Sequence, residues 1–204
     1  RLNFFINLIL ILINFLFIYN NFILIPILLT FFGIFLGLFN RSKCLVPISS
    51  YFYLALPFYI SIYLNKYFID GKIIIYWVLT IVWVSDTSAY IFGSIIKGKK
   101  FFPSISPNKT LAGFFFSLLL SVISSSIFSF FFYIINTYQA MLVGLIIGLF
   151  TSFGDLFESY LKRINNKKDS SNLIPGHGGI LDRLDGFLFA IVVMFIFILL
   201  WSNR

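Results

Sequence analysis

The chain has 204 residues, of which 60% are hydrophobic and only 11% are charged. An ordinary soluble domain carries roughly 25% charged residues, so this composition excludes a soluble globular fold and favours a protein whose solvent is lipid. The single cysteine, Cys44, excludes a disulfide framework and a thiolate metal cluster.

Seven apolar runs approach or reach the length of about 20 residues that a helix needs to cross a bilayer. In chain order they are Leu2–Tyr19, Phe22–Phe39, Leu45–Leu64, Ile73–Gly93, Leu111–Ile135, Ala140–Phe157 and Phe187–Trp201. The last run is short, and we expect it to begin earlier or to continue further. We therefore predict an all-α fold, a polytopic membrane helix bundle with about seven transmembrane helices.

The start of the chain carries its own expectation. It begins with Arg1 rather than methionine, and no small-residue cleavage site follows the first run, so that run is not a signal peptide. We expect an N-terminal portion to be missing, with room for an eighth helix upstream. We divide the chain into residues 1–72, the N-terminal transmembrane helices, and residues 73–204, a C-terminal region with polar loops.

Basic residues are distributed unevenly between the two ends of these helices. The side that holds the N-terminus receives twelve Lys and Arg, and the opposite side receives three. Since short cytoplasmic loops carry an excess of Lys and Arg, the first side is predicted to be cytoplasmic. The net charge of +8 follows from this pattern and from attraction to anionic lipid. It does not indicate nucleic-acid binding, because no soluble module carries the basic residues.

Acidic residues are rare and cluster near the cytoplasmic side, apart from Asp70 in a loop on the other side. Asp86 lies within an apolar run, where a central carboxylate costs at least about 2.5 kcal/mol, so it is a functional candidate. The alternative is a structural carboxylate that is hydrogen-bonded to its neighbours Ser85, Thr87 or Ser88.

Two acid pairs with i,i+3 spacing, Asp155 with Glu158 and Asp182 with Asp185, end the sixth run and precede the seventh. This spacing puts the members of each pair on one helix face. Four carboxylates at one membrane face repel one another unless a divalent metal lies between them, and oxygen ligands suit Mg²⁺. The alternatives are a Glu158–Lys162 ion pair on an exposed helix and Asp182 as a helix N-cap.

Cations and glycines are interleaved with these acids in the stretch that ends in "IPGHGGILDRLDG" (residues 174–186). Glycine lets the backbone approach a phosphate and donate N–H groups to it. Metal ligands, cations and open backbone together indicate a polyphosphate site. The residues concerned are Lys162, Arg163, Lys168, His177, Gly178, Gly179 and Arg183.

A second loop on the same side, "GKKFFPSISPNKTLAG" (residues 98–113), offers three close lysines, counting Lys97. Ser106 and Pro107 are typical of a helix start, and a helix N-terminus is an anion site to which Lys109 would add a charge. An ordinary basic loop with a helix cap is the alternative.

The run "SYLKRINNKKDSSNLIPGHGGILDRLD" (residues 159–185) resembles the C-terminal motif of the phosphatidate cytidylyltransferases, or CDP-diacylglycerol synthases. "DTSAYIFG" and "SPNKTLAG" are similar to two upstream motifs of that family, in the same order. The resemblance therefore covers the chain from Asp86 to its end. The positions that match the C-terminal motif are Ser159, Lys162, Arg163, Lys168, Asp169, Ser171, Pro175, His177, Gly178, Gly179, Asp182, Arg183 and Asp185.

The resemblance implies the reaction of CTP with phosphatidate to give CDP-diacylglycerol and diphosphate in phospholipid biosynthesis, with Mg²⁺ required. It also implies a multi-pass protein of the inner or plasma membrane, whose active site lies on the cytoplasmic side, where CTP and the lipid meet. Residues 73–204 then form the catalytic region. A second, monovalent cation and a homodimer are left open.

Each site residue then has an expected role, with Asp155 and Asp182 as metal ligands and Asp185 and Glu158 as further metal candidates. The residues expected to act in catalysis are Asp155, Asp182, Asp185, Lys162, Arg163, His177 and Arg183. Those expected to bind substrate are Asp86, Ser106, Lys109, Thr110, Lys168, Gly178 and Gly179. His177 is expected to hydrogen-bond a phosphate oxygen rather than to act as a base.

Other interpretations are weighed against this one. A CTP-dependent kinase of a membrane lipid alcohol would resemble it in the membrane core but would release CDP. A transporter would carry acids near the midplanes of broken helices, whereas here all but Asp86 gather at one face. The D-G-x-x-A-R arrangement of CDP-alcohol phosphotransferases is absent from the sequence. An inactive structural remnant would keep the motif without turnover.

Overall fold

The computed structural model describes residues 45–103, 105–164 and 181–202, together with six single positions, Leu12, Ile13, Leu16, Asn20, Ser170 and Gly179. Five helices and one β-hairpin lie in these ranges. They are α1 Leu45–Tyr67, α2 Gly71–Ile96, β1 Lys100–Phe102, β2 Ser106–Thr110, α3 Leu111–Phe132, α4 Thr137–Ile164 and α5 Leu181–Ser202.

The described part of the chain is helical, and four of its helices, α2 to α5, are long and apolar enough to cross a membrane. The predicted all-α membrane protein is confirmed to that extent. The first two predicted spans lie outside the described residues, apart from the four single positions near the N-terminus. The third span is occupied by α1, which is not among those four helices. The count of seven transmembrane helices therefore stays a prediction.

The chain divides into two compact units, residues 1–71 and residues 72–204. The first unit contains α1 and the turn that follows it. The second contains the hairpin, α3, α4, α5 and all of α2 except its first residue. Every described residue of the predicted site belongs to this second unit.

Small residues let α3 and α4 pack closely. On α4, a Cβ added to Gly144 would lie 2.6 Å from the carbonyl oxygen of Ser121. Ser125 Oγ donates a hydrogen bond to the carbonyl oxygen of Ala140 at 2.6 Å. Within lipid, close packing of small side chains and hydrogen bonds between helices drive helix association. The buried serines that repeat at every fourth position of α3 are therefore structural; they are Ser117, Ser121, Ser125 and Ser129.

Helix α2 also packs closely against α3 through small residues. A Cβ on Gly113 of α3 would lie 2.6 Å from the carbonyl oxygen of Ala89, so only glycine allows this approach. Further along both helices, Trp77 Nε1 donates a hydrogen bond to the carbonyl oxygen of Ser125 at 3.2 Å. The indole is fully buried. Its polar nitrogen therefore has a partner inside the bundle.

Helices α4 and α5 cross in backbone contact at the level of the acidic residues. A Cβ on Gly154 would lie 2.6 Å from the carbonyl oxygen of Asp185, and one on Gly186 would lie 2.7 Å from Thr151 Cγ2. Both glycines flank a carboxylate in the sequence. The crossing therefore brings the acidic segments of the two helices together.

The prediction that Ser106 and Pro107 start a helix is wrong. Both lie in β2, which pairs antiparallel with β1 across a β-bulge. This pairing keeps the backbone extended as far as Thr110, which is the N-cap of α3. Its Oγ1 accepts a hydrogen bond from the Gly113 N–H at 3.1 Å.

Several helix ends differ from the apolar runs. Helix α4 continues beyond Phe157 to Ile164, and α5 begins at Leu181 rather than Phe187, which confirms that the last run starts earlier. Glu158, Lys162 and Asp182 can extend these helices because they have charged partners within the protein. Helix α3 ends at Phe132, because Tyr133 adopts a left-handed conformation with φ of 52°. The acid pair of the last motif therefore lies inside α5, not before it.

Candidate active site

A cavity of about 730 Å³ lies between α2, the hairpin, α3 and α4. This volume is within the range of small-molecule sites, roughly 300–1,000 Å³. Four of the predicted site residues line it: Asp86 of α2, Lys109 and Thr110 of β2, and Asp155 of α4. Residues of the two upstream motifs and of the end of the sixth apolar run therefore line the same cavity.

One wall of the cavity carries an ion pair between the hairpin and α4. Lys109 Nζ lies 2.6 Å from Asp155 Oδ2, and the two side chains are 25% and 40% exposed. Because both groups line the cavity and remain partly accessible, a ligand in the cavity can contact either charge.

Asp86 is the second carboxylate of the cavity. No described residue donates a hydrogen bond to it, and Ser88 Oγ instead donates to the carbonyl oxygen of Ser85 at 2.8 Å. The alternative of a carboxylate bonded to neighbouring hydroxyls is therefore not what the described residues form. The carboxylates of Asp155 and Asp185 lie close enough to Asp86 to interact with it electrostatically.

A second group of charges lies between α4 and α5. Glu158 is 1% exposed, and neither of its buried carboxylate oxygens accepts a hydrogen bond from a described residue. Lys162 Nζ lies 3.6 Å from Glu158 Oε1, so the predicted i,i+4 pair exists, but in the interior rather than on an exposed face. The carboxylates of Asp182 and Asp185 adjoin Glu158. Three acids thus share one lysine.

Asp182 is fully engaged with its own chain. Its Oδ1 lies 2.7 Å from Lys162 Nζ, and its Oδ2 accepts hydrogen bonds from Ser170 Oγ at 2.8 Å and from the Gly179 N–H at 2.7 Å. The alternative of Asp182 as an N-cap is wrong, because the residue lies within the first turn of α5 and bonds backwards to Gly179. Asp182 therefore ties the two described loop positions to α5.

The remaining predicted residues are more scattered. Asp185 is 8% exposed and accepts a hydrogen bond from the Gly186 N–H at 2.8 Å. Arg163 Nε donates to the carbonyl oxygen of Ile105 at 3.3 Å, which ties α4 to the hairpin turn. Arg183 is exposed, and Ser106 is half-buried in β2. The predicted residues Lys168, His177 and Gly178 lie outside the described residues.

Asp185 connects the two groups of charges, since it interacts with Asp155 of the cavity and adjoins Glu158 of the interior. The described members of the predicted site therefore form one continuous polar region. Among the described residues, no three His, Cys, Asp or Glu side chains form a group that could hold a metal ion. The magnesium ion stays a prediction.

The cavity also contains residues that the sequence analysis did not assign, among them Tyr90, Lys100 and Asn108. One signal was available for the first of these. Tyr90 and Gly93 follow Asp86 at i+4 and i+7, which puts all three on one face of a helix. Lys100 and Asn108 depend on the hairpin, which the sequence analysis did not predict.

Comparison with known proteins agrees with the motifs. A sequence model of the Cytidylyltransferase family matches residues 1–201. The phosphatidate cytidylyltransferase of Staphylococcus haemolyticus (strain JCSC1435) is 43% identical over 126 residues, which are 61% of this chain and 48% of that protein. The phosphatidate cytidylyltransferase of Bacillus subtilis (strain 168) is 35% identical over 151 residues, 74% of this chain and 56% of that protein.

The chain thus spans about half the length of the curated relatives that it matches. The resemblance inferred from the motifs is confirmed, and it extends beyond them, because the family model also covers the first three apolar runs. Since that model matches residues 1–201 of 204, the chain belongs to the cytidylyltransferase family.

Proposed function

We propose that the protein is a phosphatidate cytidylyltransferase, which transfers the cytidylyl group of CTP to phosphatidate and releases diphosphate. The observation that carries this proposal is a cavity that holds the Lys109–Asp155 ion pair and Asp86, to which no described residue donates a hydrogen bond, and that adjoins the buried acids of α4 and α5. Relatives with that name and four helices suited to a membrane support the substrate pair.

The chemistry asks little of a general base. A phosphate oxygen of phosphatidate, already anionic, attacks the α-phosphorus of CTP, and the bond from that phosphorus to the oxygen that bridges it to the β-phosphate breaks. Diphosphate leaves with the electron pair. The barrier lies in bringing two anions together, so positioning and charge neutralisation are the main contributions of the protein.

The cations of the described site suit this requirement. Lys109 offers a point charge at the cavity wall, and Asp155 holds its Nζ in position at 2.6 Å. Lys162 is half-buried between Glu158 and Asp182, so its charge is used to balance the buried acids. We therefore assign phosphate binding to Lys109 and an organising role to Lys162.

Mg²⁺ would be held by two of the four carboxylates that were predicted as metal ligands, and it would neutralise phosphate charge when bound. Oxygen-only donors fit this ion. Glu158 supports the assignment, because its two buried oxygens accept no hydrogen bond from a described residue. Asp155 and Asp185 lie next in the polar region, whereas Asp182 would first have to release Lys162 or Ser170.

We assign the site to the cytoplasmic side of a cell membrane. The excess of Lys and Arg on one side of the helices supports this orientation. CTP is soluble and phosphatidate is a membrane lipid, so a cavity that is bounded by membrane helices and by a polar hairpin suits both. A protease-protection or cysteine-labelling experiment on the hairpin in sealed vesicles tests the orientation.

The position of a radioactive label tests the reaction. With CTP labelled at the α-phosphate, the transferase reaction puts label into the lipid product; with CTP labelled at the γ-phosphate, only a kinase does. We expect magnesium-dependent labelling of lipid from α-labelled CTP and phosphatidate. Labelling of lipid from γ-labelled CTP would instead support a CTP-dependent lipid kinase and refute the proposal.

The roles of the acids are tested with a matched pair of substitutions. Asp155→Asn is expected to reduce formation of CDP-diacylglycerol at least about a hundredfold, as expected for loss of a group that positions charge on the reacting phosphates. Asp70→Asn makes the same chemical change in an exposed turn of the other unit and should leave the rate unchanged. Normal turnover by Asp155→Asn would rule out a role for this carboxylate.

A further inference from the structure

The cavity has a second cationic end that the proposed site does not use. Lys97, just after α2, and Lys100, the first residue of β1, both line the cavity. Neither forms an ion pair with a described acid, although the cavity contains two carboxylates. Two exposed ammonium groups therefore face the cavity without a counter-charge among the described residues.

The backbone between these lysines is open to a ligand. Lys97 has a φ of 56° and Gly98 a φ of 89°. A left-handed conformation at a helix end is ordinarily taken by glycine, so Lys97 holds its side chain here at some conformational cost. Apart from Gly98 and its two chain neighbours, no described residue has an atom within 4 Å of the position that a Cβ on Gly98 would occupy. An anion can therefore approach the Gly98 backbone as well as the lysine side chains.

Position along α2 separates Lys97 from Asp86. Asp86 and Lys97 are 11 residues apart, and a rise of 1.5 Å per residue gives a separation of about 16 Å along the helix axis. Lys109 and Asp155 interact electrostatically with Asp86, whereas Lys100 pairs across the hairpin with Thr110, the residue that follows Lys109. The charges that line the cavity therefore run from Asp86 through the Lys109–Asp155 pair to two lysines that form no ion pair with a described acid.

We propose that Lys97, Lys100 and the Gly98 backbone bind the β- and γ-phosphates of the nucleotide, the part that leaves as diphosphate. The inference rests on the proposed function and adds the orientation of the nucleotide in the cavity. The nucleotide has its α-phosphate at Lys109 and Asp155 and its terminal phosphates at Lys97, Gly98 and Lys100, where α2 ends and the hairpin begins. Charge-assisted hydrogen bonds from ammonium groups are the interactions that such phosphates favour.

The lysines would also suit the phosphate group of phosphatidate, since both substrates carry phosphate. The two sources differ in what they predict. Lysines that hold the leaving group should change the affinity for CTP and for inorganic diphosphate together, without affecting phosphatidate. Lysines that hold the lipid should change only the KM for phosphatidate.

The first experiment measures binding without turnover. Labelled inorganic diphosphate, with Mg²⁺, is dialysed to equilibrium against the purified protein in detergent, for the wild type and for Lys97→Gln and Lys100→Gln. We expect the dissociation constant to rise roughly five- to tenfold in each variant, because each loses a hydrogen bond to a charged group. Unchanged binding in both variants would overturn the proposal.

Lys99→Gln is the matched control. Lys99 lies in the same loop and is exposed, but it does not line the cavity. It carries the same charge, so its loss changes the general electrostatic attraction of the loop equally. A rise in the dissociation constant as large as that of Lys100→Gln would mean that only the general charge matters, which would also overturn the proposal.

The second experiment uses the enzyme assay. In Lys97→Gln and Lys100→Gln, the KM for CTP and the Ki for diphosphate should rise together while the KM for phosphatidate stays the same. A rise confined to phosphatidate assigns the lysines to the lipid and refutes the proposal. A wild-type protein that binds diphosphate but makes no CDP-diacylglycerol would count against the proposed function and not against this phosphate site.

Lys97→Gly guards against misfolding as an explanation. Glycine suits a φ of 56° better than lysine does, so this variant should fold at least as well as the wild type. Weakened diphosphate binding together with an equal or higher melting temperature supports the site. Wild-type binding in this variant would remove Lys97 from it.

Discussion

Glu158→Gln replaces a carboxyl group in the interior of the bundle with an amide of nearly the same shape. Glu158 is 1% exposed, and its two buried oxygens accept no hydrogen bond from a described residue. Its only described counter-charge is Lys162 at 3.6 Å, which lies closer, at 2.7 Å, to Asp182. The carboxylates of Asp182 and Asp185 adjoin it. A carboxylate charge at this position would therefore be under-compensated.

The expected gain in stability follows from these contacts. A buried polar group without a partner costs about 1–3 kcal/mol, and the neutral amide can also donate to a neighbouring carboxylate. The lost attraction to Lys162 offsets part of this gain, since the lysine keeps Asp182. We expect the free energy of unfolding to rise by about 1–2 kcal/mol, which for a chain of this size corresponds to about 2–4 °C in Tm per kcal/mol.

Turnover is expected to change in the opposite direction. If Glu158 is retained in an unfavourable interior position because it takes part in the site, its amide should reduce formation of CDP-diacylglycerol by at least about tenfold. A gain in stability with a loss of function is the pattern of an active site that holds a destabilised group. The assays are thermal unfolding in detergent and cytidylyl transfer from CTP to phosphatidate, measured on the same preparation.

Two results would refute this reasoning. A Tm that falls in Glu158→Gln would mean that the folded protein satisfies the carboxylate, and unchanged turnover would mean that Glu158 lies outside the site. Glu158→Ala is the comparison variant. It removes the charge but leaves a cavity that should cost about 2–5 kcal/mol, so its Tm should be lower than that of the glutamine variant.

Three further substitutions test the packing and capping of α3. Gly113→Ala would put a Cβ 2.6 Å from the carbonyl oxygen of Ala89, so we expect a loss of about 1–3 kcal/mol and a lower melting temperature. Thr110→Val removes the N-cap of α3 at nearly constant volume and should cost about 1 kcal/mol in the same assay. Ser125→Ala loses the hydrogen bond to Ala140, worth about 0.6 kcal/mol between membrane helices, and unchanged stability would show that close packing alone holds α3 to α4.

The positions of α2 to α5 could be predicted from the sequence because each helix contains a long apolar run. Their ends could not. The segment from Glu158 to Ile164 is polar in sequence but helical in the structure, since Lys162 is balanced by acids of its own helix and of α5. A prediction from apolarity alone ends a helix where the apolar residues end, whereas the helix itself ends where its backbone hydrogen bonds end.

The hairpin was missed for a related reason. Its strands, Lys100–Phe102 and Ser106–Thr110, are short and lack the alternating pattern of a half-buried strand, and Pro107 argues locally for a turn or a helix start. Only their pairing with each other makes them strands. The spacing of the acids did predict shared helix faces, but the approach of Asp185 to Asp155 depends on how α4 and α5 cross, which no local pattern records.

Where α4 and α5 cross, each helix has a glycine at the contact and an aspartate of the candidate site next to it in the sequence. Gly154 precedes Asp155, and Gly186 follows Asp185, and both glycines stand where a Cβ would collide with the opposite helix. Glycine usually weakens a helix by roughly 0.5–1 kcal/mol relative to alanine, so a purely structural helix pair gains nothing from glycines at these two positions unless close approach is required. Close approach brings the neighbouring carboxylates within electrostatic range of each other. The same backbone contact that excludes lipid from between the helices therefore sets the distance between the acids, and the repulsion it creates is what a bound cation would relieve.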